Sequence, residues 1–451
     1  MERVEKRRAG QMDMLNGPLT GKIVLFALPL AASSILQQLF NAADVAVVGR
    51  FAGNQALAAV GGNSSVINLL VNLFVGFSVG ANVVIARYIG EGKTDKIHNT
   101  VHTVISMALI CGAILAVLGN VVAEPLLKLM NTPTEVLPLA AVYLKIYFGG
   151  MPFFMVYNFG SAVLRSVGDT KKPLYCLILS GVINVGLNLL LVVVFQLSVV
   201  GVAVATVTAN GVSAALILLF LRKSKESIRL DLRQLMLDRE EMVKIIKIGA
   251  PAGLQGMVFS FSNVCIQSAI NGFGTNAIAG SAAALNYEFF TFFVTSAFTQ
   301  AAVTFTSQNY GARQYERCKR VWRISALLGV CGTGLLSIVF VSGRELFLSI
   351  FAADAAAVSY GAVRMLHIQV FSFMPPLYEV TGGVLRGMGY SMTPAVLTMF
   401  GSCAVRVIWI YTVFAWKPTL SVLFWVYPFS WIITITLVVG AYFLIGRKAL
   451  R

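Results

Sequence analysis

The chain has 451 residues, of which 57% are hydrophobic and 12% are charged, and its formal net charge is +16. Soluble domains carry roughly twice that charged share, so the composition excludes an ordinary soluble enzyme or nucleic-acid-binding domain. The apolar residues fall in blocks near the ~20 residues that cross a hydrocarbon core, which predicts an all-α polytopic membrane protein rather than a barrel of short alternating strands.

In chain order, spans are expected at 22–49, 56–84, 99–121, 136–161, 174–196, 199–221, 243–271, 278–306, 323–342, 358–383, 394–415 and 420–446. The charged start, MERVEKRRAGQMDML, precedes a run too long for a signal-peptide core, so the first span is read as retained. Of the 35 Lys and Arg residues, 28 fall on one side of these spans, from Arg3, Lys6, Arg7, Arg8 and Lys22 to Arg447, Lys448 and Arg451. The other side has Arg50, Lys128, Arg344 and Lys417. By the positive-inside rule, both termini are expected in the cytoplasm. The polar stretch 222–244 reads as a cytoplasmic connector with an amphipathic helix. The expected division is therefore an N-terminal six-helix lobe (1–222), a linker (223–242) and a C-terminal six-helix lobe (243–451).

The two halves repeat. VLRSVGDTKKP at 163–173 matches VLRGMGYSMTP at 384–394, and GNQALAAVG from Gly53 matches GTNAIAGSA from Gly274 at the same offset of 221. Pro29 in LPLAASS is echoed by Pro251 in APAGLQG, and a Met-Pro pair occurs at 151–152 and 374–375. Six spans per repeat start both halves on the same side, which predicts two bundles related by a pseudo-two-fold axis along the membrane normal, with a cleft between them.

Polar residues in spans are expected to turn away from lipid. Span one sets Ser34, Gln37, Asn41 and Asp44 on one helix face, and span two offers Ser65, Asn68 and Asn72. Span eight carries Tyr287 beside Glu288, with Thr291, Thr295 and Thr299. Only Asp44, Glu288 and Glu379 are acids well inside spans. A charge there costs about 3 kcal/mol on insertion scales, so each needs a partner, a proton or a job. Such an acid carries a proton or, when ionised, holds a cation. Three basic residues lie in spans. Lys145 and Arg364 are expected to snorkel to the outer surface, and Arg406 to pair with Glu288 or Glu379.

Other chemistries are poorly served. GEGKT at 90–94 has Arg87 where a phosphate-binding loop needs Gly. His98 and His102 are two ligands at most, the six cysteines lack metal-site spacing, and no nucleophile–base pairing stands out. Neither an enzyme nor a cofactor is expected, and any uphill transport must draw on an ion gradient.

Twelve spans in two parallel repeats, an LP in span one followed by NAADVAVVGR, and VLRxxG in both halves resemble the multidrug and toxic compound extrusion (MATE) transporters, prokaryotic branch. The resemblance covers essentially the whole chain. It implies H⁺- or Na⁺-coupled efflux of amphipathic organic cations by rocker-switch alternating access. It also implies an ion site in the first lobe, with Asp44, Asn184 and Thr206 at matching positions and Asn188 where the family usually has a second Asp. The span-seven Glu of one branch has no counterpart between Gln255 and Asn263. A single carboxylate favours H⁺ over Na⁺. The expected cavity residues are Gln37, Asn41, Asn68, Asn158, Tyr287, Glu288 and Glu379, where Asn158 and Glu379 are repeat equivalents. Pro29 is the expected hinge, because it leaves the carbonyl of Leu25 without its helix partner. The expected setting is the inner membrane, as a monomer, with small amphipathic molecules and lipid as partners and no nucleic acid. The alternative is a flippase for a lipid-linked oligosaccharide or another amphiphile, whose anionic head groups would call for several Arg or Lys in the cleft.

Overall fold

The computed structural model describes residues 12–130, 132–224, 227–351 and 354–449, and no strand occurs among them. Arg3, Lys6, Arg7, Arg8 and Arg451 lie outside the described residues, as do the side chains of Ser65 and Arg447. Helices dominate for a physical reason: in hydrocarbon, each backbone N–H and C=O must be satisfied within its own segment.

The chain divides into two compact units. Unit 1 comprises Met1–Asp13 and Ala32–Gly253, and unit 2 comprises Met14–Ala31 and Leu254–Arg451. These boundaries differ from the expected division at 222 and 243. Two of the three boundaries fall inside long helices, two residues after Pro29 and two after Pro251, and the third, between Asp13 and Met14, lies ahead of α1.

Unit 1 begins with the second part of α1 (Leu19–Phe51) and continues through α2 (Gly53–Gly62), α3 (Ser64–Glu91), α4 (Thr94–Leu129), α5 (Leu137–Gly149), α6 (Met151–Ser166), α7 (Lys171–Asn188) and α8 (Ser198–Lys223). It closes with the first part of α9 (Arg239–Asn271). Ile85, Ile105, Leu115, Leu144, Phe148 and Phe159 are fully buried in its core. The chain bends by 46° between α5 and α6. Pro152 falls in the first turn of α6, where its missing N–H would have no helical partner anyway. Gly112 of α4 makes room for the bend, since a Cβ there would lie 2.3 Å from the Pro152 Cα.

The first part of α9 packs on α3 backbone to backbone. A Cβ on Gly76 would meet the Gly253 backbone at 2.4 Å, one on Gly80 the Ile245 carbonyl oxygen at 2.2 Å, and one on Gly249 the Phe77 Cα at 2.5 Å. Two small-xxx-small pairs, Gly76/Gly80 and Gly249/Gly253, thus permit the approach that drives helix association in lipid. Gly80→Leu is expected to lower thermal stability sharply in detergent, by more than the ~1–3 kcal/mol typical of overpacking, because backbone cannot step aside. Gly440→Ala, where a Cβ meets nothing within 4 Å, is the control and should melt no lower than the parent.

The connector is not a solvated tether. Ile228 and Leu230 are buried, the Asp231 N–H donates to His102 Nε2 (3.0 Å), and the Asp238 N–H donates to Thr103 Oγ1 (3.1 Å). Nor does it contain the expected amphipathic helix: only a 3-10 turn, Leu232–Gln234, precedes α9. Ile228 and Leu230 join the apolar core of unit 1 instead, and the Leu230 N–H donates to the Leu221 carbonyl of α8 at 3.2 Å.

Unit 2 comprises the first part of α1, the second part of α9, α10 (Thr275–Gly311), α11 (Tyr315–Ser342), α12 (Arg344–Ser349), α13 (Ala355–His367), α14 (Pro375–Gly387), α15 (Met392–Thr398), α16 (Val405–Trp409) and α17 (Leu420–Ala449). Ile23 and Phe26 of α1 are fully buried, and Phe26 meets Phe305 edge-on at 5.6 Å. π-helical turns at Met399–Ala404 and Ile410–Phe414 flank α16, and another, Leu189–Val194, follows α7 in unit 1.

Among the described residues, ten helices are long and apolar enough to cross a membrane, or eleven when α5 and α6 count as one bent span. The remaining expected span, 358–383, is split into α13 and α14, each of 13 residues, with a 3-10 turn at Gln369–Phe371 between them. Pro375 and Pro376 open α14 as Pro152 opens α6, so the repeated Met-Pro pair marks a helix restart in both units.

Candidate functional site

Three helices of unit 1 bring Asp44, Asn184, Asn188 and Thr206 together. The approach depends on Gly181: a Cβ there would lie 1.9 Å from the Phe40 ring. Phe40 precedes Asp44 by one turn on α1, and Gly181 precedes Asn184 and Asn188 on α7, so this contact sets the two polar faces opposite each other. Neither Phe40 nor Gly181 carried a sequence signal, because a ring laid on a glycine leaves no pattern.

Asp44 is 8% exposed and Asn188 is fully buried. Asn188 Nδ2 donates to Asp44 Oδ1 and lies 3.3 Å from Asn184 Oδ1. Thr206 Oγ1 lies 3.4 Å from Asp44 Oδ2 and 3.4 Å from Asn184 Nδ2, and donates to the Val202 carbonyl at 2.9 Å. No basic side chain lies within ion-pair distance of Asp44 among the described residues, so Arg50 does not neutralise it. Asn188 Oδ1 is buried without a hydrogen-bond partner. Buried polar atoms are nearly always satisfied, so this orphan acceptor points to a ligand. The site offers oxygen donors from one carboxylate, two amides and a hydroxyl, with one formal negative charge. That set fits a proton or a monovalent cation. No group of three or more His, Cys, Asp or Glu able to hold a metal occurs among the described residues. Tyr143 and Tyr147 of α5 stack at 5.9 Å and lie within electrostatic reach of Asp44.

The expected cavity residues are divided between the two units, Gln37, Asn41, Asn68 and Asn158 in unit 1 and Tyr287, Glu288 and Glu379 in unit 2. Gln37, Asn41 and Asn68 are exposed. Asn158 is half-buried and turns its amide back to the Phe154 carbonyl (2.9 Å). Tyr287 and Glu288 are both engaged within unit 2. Tyr287 is buried among Phe340, Phe347 and Phe351, and its hydroxyl donates to the Phe347 carbonyl at 2.6 Å, so it serves packing. Glu288 accepts both Nε (2.6 Å) and Nη2 (2.9 Å) of Arg364. Arg364 therefore does not snorkel: it is 3% exposed and also lies over the Phe424 ring. With no carboxylate within ion-pair distance among the described residues, Arg406 sits 1% exposed between the rings of Tyr427 (4.4 Å) and Phe259 (5.0 Å), near Ser430 and Asn263. Glu379 is half-buried and makes no hydrogen bond among the described residues, while Arg386, seven residues on, donates to Gln255 Oε1 at 2.9 Å. Pro29 lies inside an unbroken α1.

A bundle of long apolar helices enclosing a lone carboxylate among amides defines a multi-pass membrane transporter. The MatE family profile matches residues 29–190 and 251–412, one match in each sequence repeat, and the chain belongs to that family, the multidrug and toxic compound extrusion transporters. It is 28% identical over 436 residues to the probable multidrug resistance protein YoeA of Bacillus subtilis, covering 94% of this chain and 93% of that one. It is 25% identical over 392 residues to the probable multidrug resistance protein NorM of Thermotoga maritima, covering 85% and 83%. A FAD transporter of Shewanella oneidensis is 25% identical over 348 residues, 76% of each chain. Among solved structures, a MATE in the straight conformation superposes with a TM-score of 0.87 at 22% identity, over 97% of both chains. A MATE in the bent conformation superposes with a TM-score of 0.85 at 23% identity, over 97% of this chain and 96% of that one. These likenesses establish the fold.

Proposed function

We propose that the protein is a secondary active multidrug efflux transporter of the inner membrane, with both termini cytoplasmic, exchanging amphipathic organic cations for protons by alternating access. It acts as a monomer, without cofactor, catalysis or nucleic acid. The multidrug resistance proteins among its relatives support the efflux reading, and the distribution of Lys and Arg supports the orientation. The observation that carries the proposal is the Asp44 cluster: a buried carboxylate without a counter-charge, beside an unsatisfied amide oxygen.

Coupling follows from competition and mechanics. With Asp44 ionised, unit 1 carries an uncompensated buried charge and holds a cationic substrate. A proton arriving from outside neutralises Asp44 and removes the attraction. The hinge is Pro29, which stands where α1 passes from unit 2 to unit 1. One carboxylate favours the proton, since Na⁺ is held better by clustered oxygens of higher charge. In proteoliposomes free of Na⁺, a pH jump is expected to drive uptake or release of a fluorescent cationic dye. Movement only under an imposed Na⁺ gradient would overturn the choice of ion. A panel of dyes, cationic drugs and FAD in an efflux-deleted host sorts the substrate class, and no shift in inhibitory concentration for any cation would favour an amphiphile flippase.

A further inference from the structure

The turn between α10 and α11 has a feature that its counterpart in the sequence repeat lacks. At the 221-residue offset, Gly53 pairs with Gly274 and Gly168 with Gly389, and all four have positive φ (85°, 90°, 89° and 97°). Gly92, at the end of α3, also has positive φ (70°), but its counterpart is Arg313, at φ 57°. A left-handed backbone is costly for a residue with a side chain, and such outliers persist where the side chain has a use.

Arg313 stands on a cavity of about 600 Å³ within unit 2, lined by Leu15, Asn16 and Gly17 ahead of α1 and by the α10–α11 turn, with Arg317 and Arg320. Arg317 builds the wall, donating to the carbonyls of Met14 (3.2 Å) and Asn16 (3.0 Å). Arg313 and Arg320 are exposed and have no carboxylate within ion-pair distance among the described residues. The one acid on the lining, Glu316, is engaged by Lys319 at 2.7 Å. Tyr315, also on the lining, packs against Tyr310 at 5.6 Å, and tyrosines of this kind mark the depth of lipid head groups.

The equivalent corner of unit 1 pairs most of its cations with carboxylates. Its cavity is about 340 Å³, and Arg87, Lys93, Lys96 and Lys244 line it. There Glu91 takes Arg87 (3.1 Å) and Lys93 (2.6 Å), and Glu241 takes Lys244 (2.9 Å). The two corners share a backbone turn. In unit 1 the exposed Lys96, 5.9 Å from the Tyr88 ring, lacks a carboxylate within ion-pair distance among the described residues, and in unit 2 both Arg313 and Arg320 do.

We propose that the corner formed by Leu15–Gly17 and the α10–α11 turn of unit 2 binds the phosphate head group of an anionic phospholipid, with Arg313 and Arg320 as its ligands. Arginine forks match phosphate oxygens bidentately. The site lies on the side carrying 28 of the 35 basic residues, where juxtamembrane cations meet anionic lipid.

The test uses the full-length protein in neutral detergent, with retained lipid counted by native mass spectrometry after exposure to phosphatidylglycerol or phosphatidylcholine. The parent is expected to retain phosphatidylglycerol selectively. Arg313→Gly and Arg320→Gln should each weaken retention roughly five-fold. Arg313→Gly should melt no lower than the parent, because glycine relieves the left-handed backbone, which separates loss of the ligand from loss of the fold. Equal retention of both lipids, or undiminished phosphatidylglycerol on the doubly substituted protein, overturns the proposal. Displacement of phosphatidylglycerol by an equal concentration of inorganic phosphate also overturns it, by making the corner a site for free anions.

Discussion

Asp44→Asn is expected to reduce gradient-driven dye efflux from proteoliposomes to the rate of protein-free vesicles while leaving the protein folded. The site's hydrogen bonds explain why both halves of this result should hold. An asparagine at position 44 can turn its carbonyl toward Asn188 Nδ2, the donor that Asp44 Oδ1 now accepts. Its NH₂ then faces Thr206 Oγ1, whose own hydrogen goes to the Val202 carbonyl, so that oxygen is able to accept. No donor meets a donor, and the change in stability should stay within about 1 kcal/mol, the scale of one exchanged hydrogen bond. What is lost is the only group in the cluster that can gain or lose a proton or hold a full negative charge. Melting temperature and efflux are measured on the same preparation. Transport at the parental rate would remove Asp44 from coupling, whereas a collapsed melting temperature would make the residue structural.

Glu288→Gln should behave in the opposite way, with a large loss of stability. Arg364 is buried and bound through two nitrogens to this one carboxylate. Removing the acid leaves a guanidinium charge uncompensated, at a cost of about 3–5 kcal/mol. Removing both charges is far milder, because a buried pair exchanged for apolar groups of similar volume is often neutral. Thermal unfolding in detergent should therefore show a deep drop for Glu288→Gln and substantial recovery for Glu288→Gln combined with Arg364→Met. A Glu288→Gln protein that melts normally yet fails to transport one class of cation would return Glu288 to the substrate path.

These two acids mark the limits of sequence reading. The Asp44 cluster was legible through the family resemblance, which set Asn184, Asn188 and Thr206 beside it; the four-residue spacing of Asn184 and Asn188 says only that they share a helix face. The Met-Pro repeat was also visible, and it marks where α6 and α14 restart. The partner of Glu288 was not legible because it lies 76 residues away on another helix, and no one-dimensional pattern shows which of three basic residues reaches it. Arg364 was expected to snorkel because it stands near a span end, and that position says nothing of the Glu288 carboxylate that holds it. The passage of α1 and α9 from one unit to the other was equally hidden. Hydropathy marks where a helix lies, not which neighbours receive its two parts.

That passage has a consequence for biosynthesis. The stretch Met14–Ala31 is made well before the other residues of its compact unit, Leu254–Arg451. Until those are made, the fully buried Ile23 and Phe26 wait without the partners that cover them. Conversely, the unit begun first is not closed by its own six helices, because Gly249 and Gly253 must still arrive to fill the groove at Gly76 and Gly80. A chain severed in the connector therefore leaves two fragments that each hold a piece of the other's unit. Neither half is an autonomous folding module, and maturation of the first lobe is tied to translation of the second.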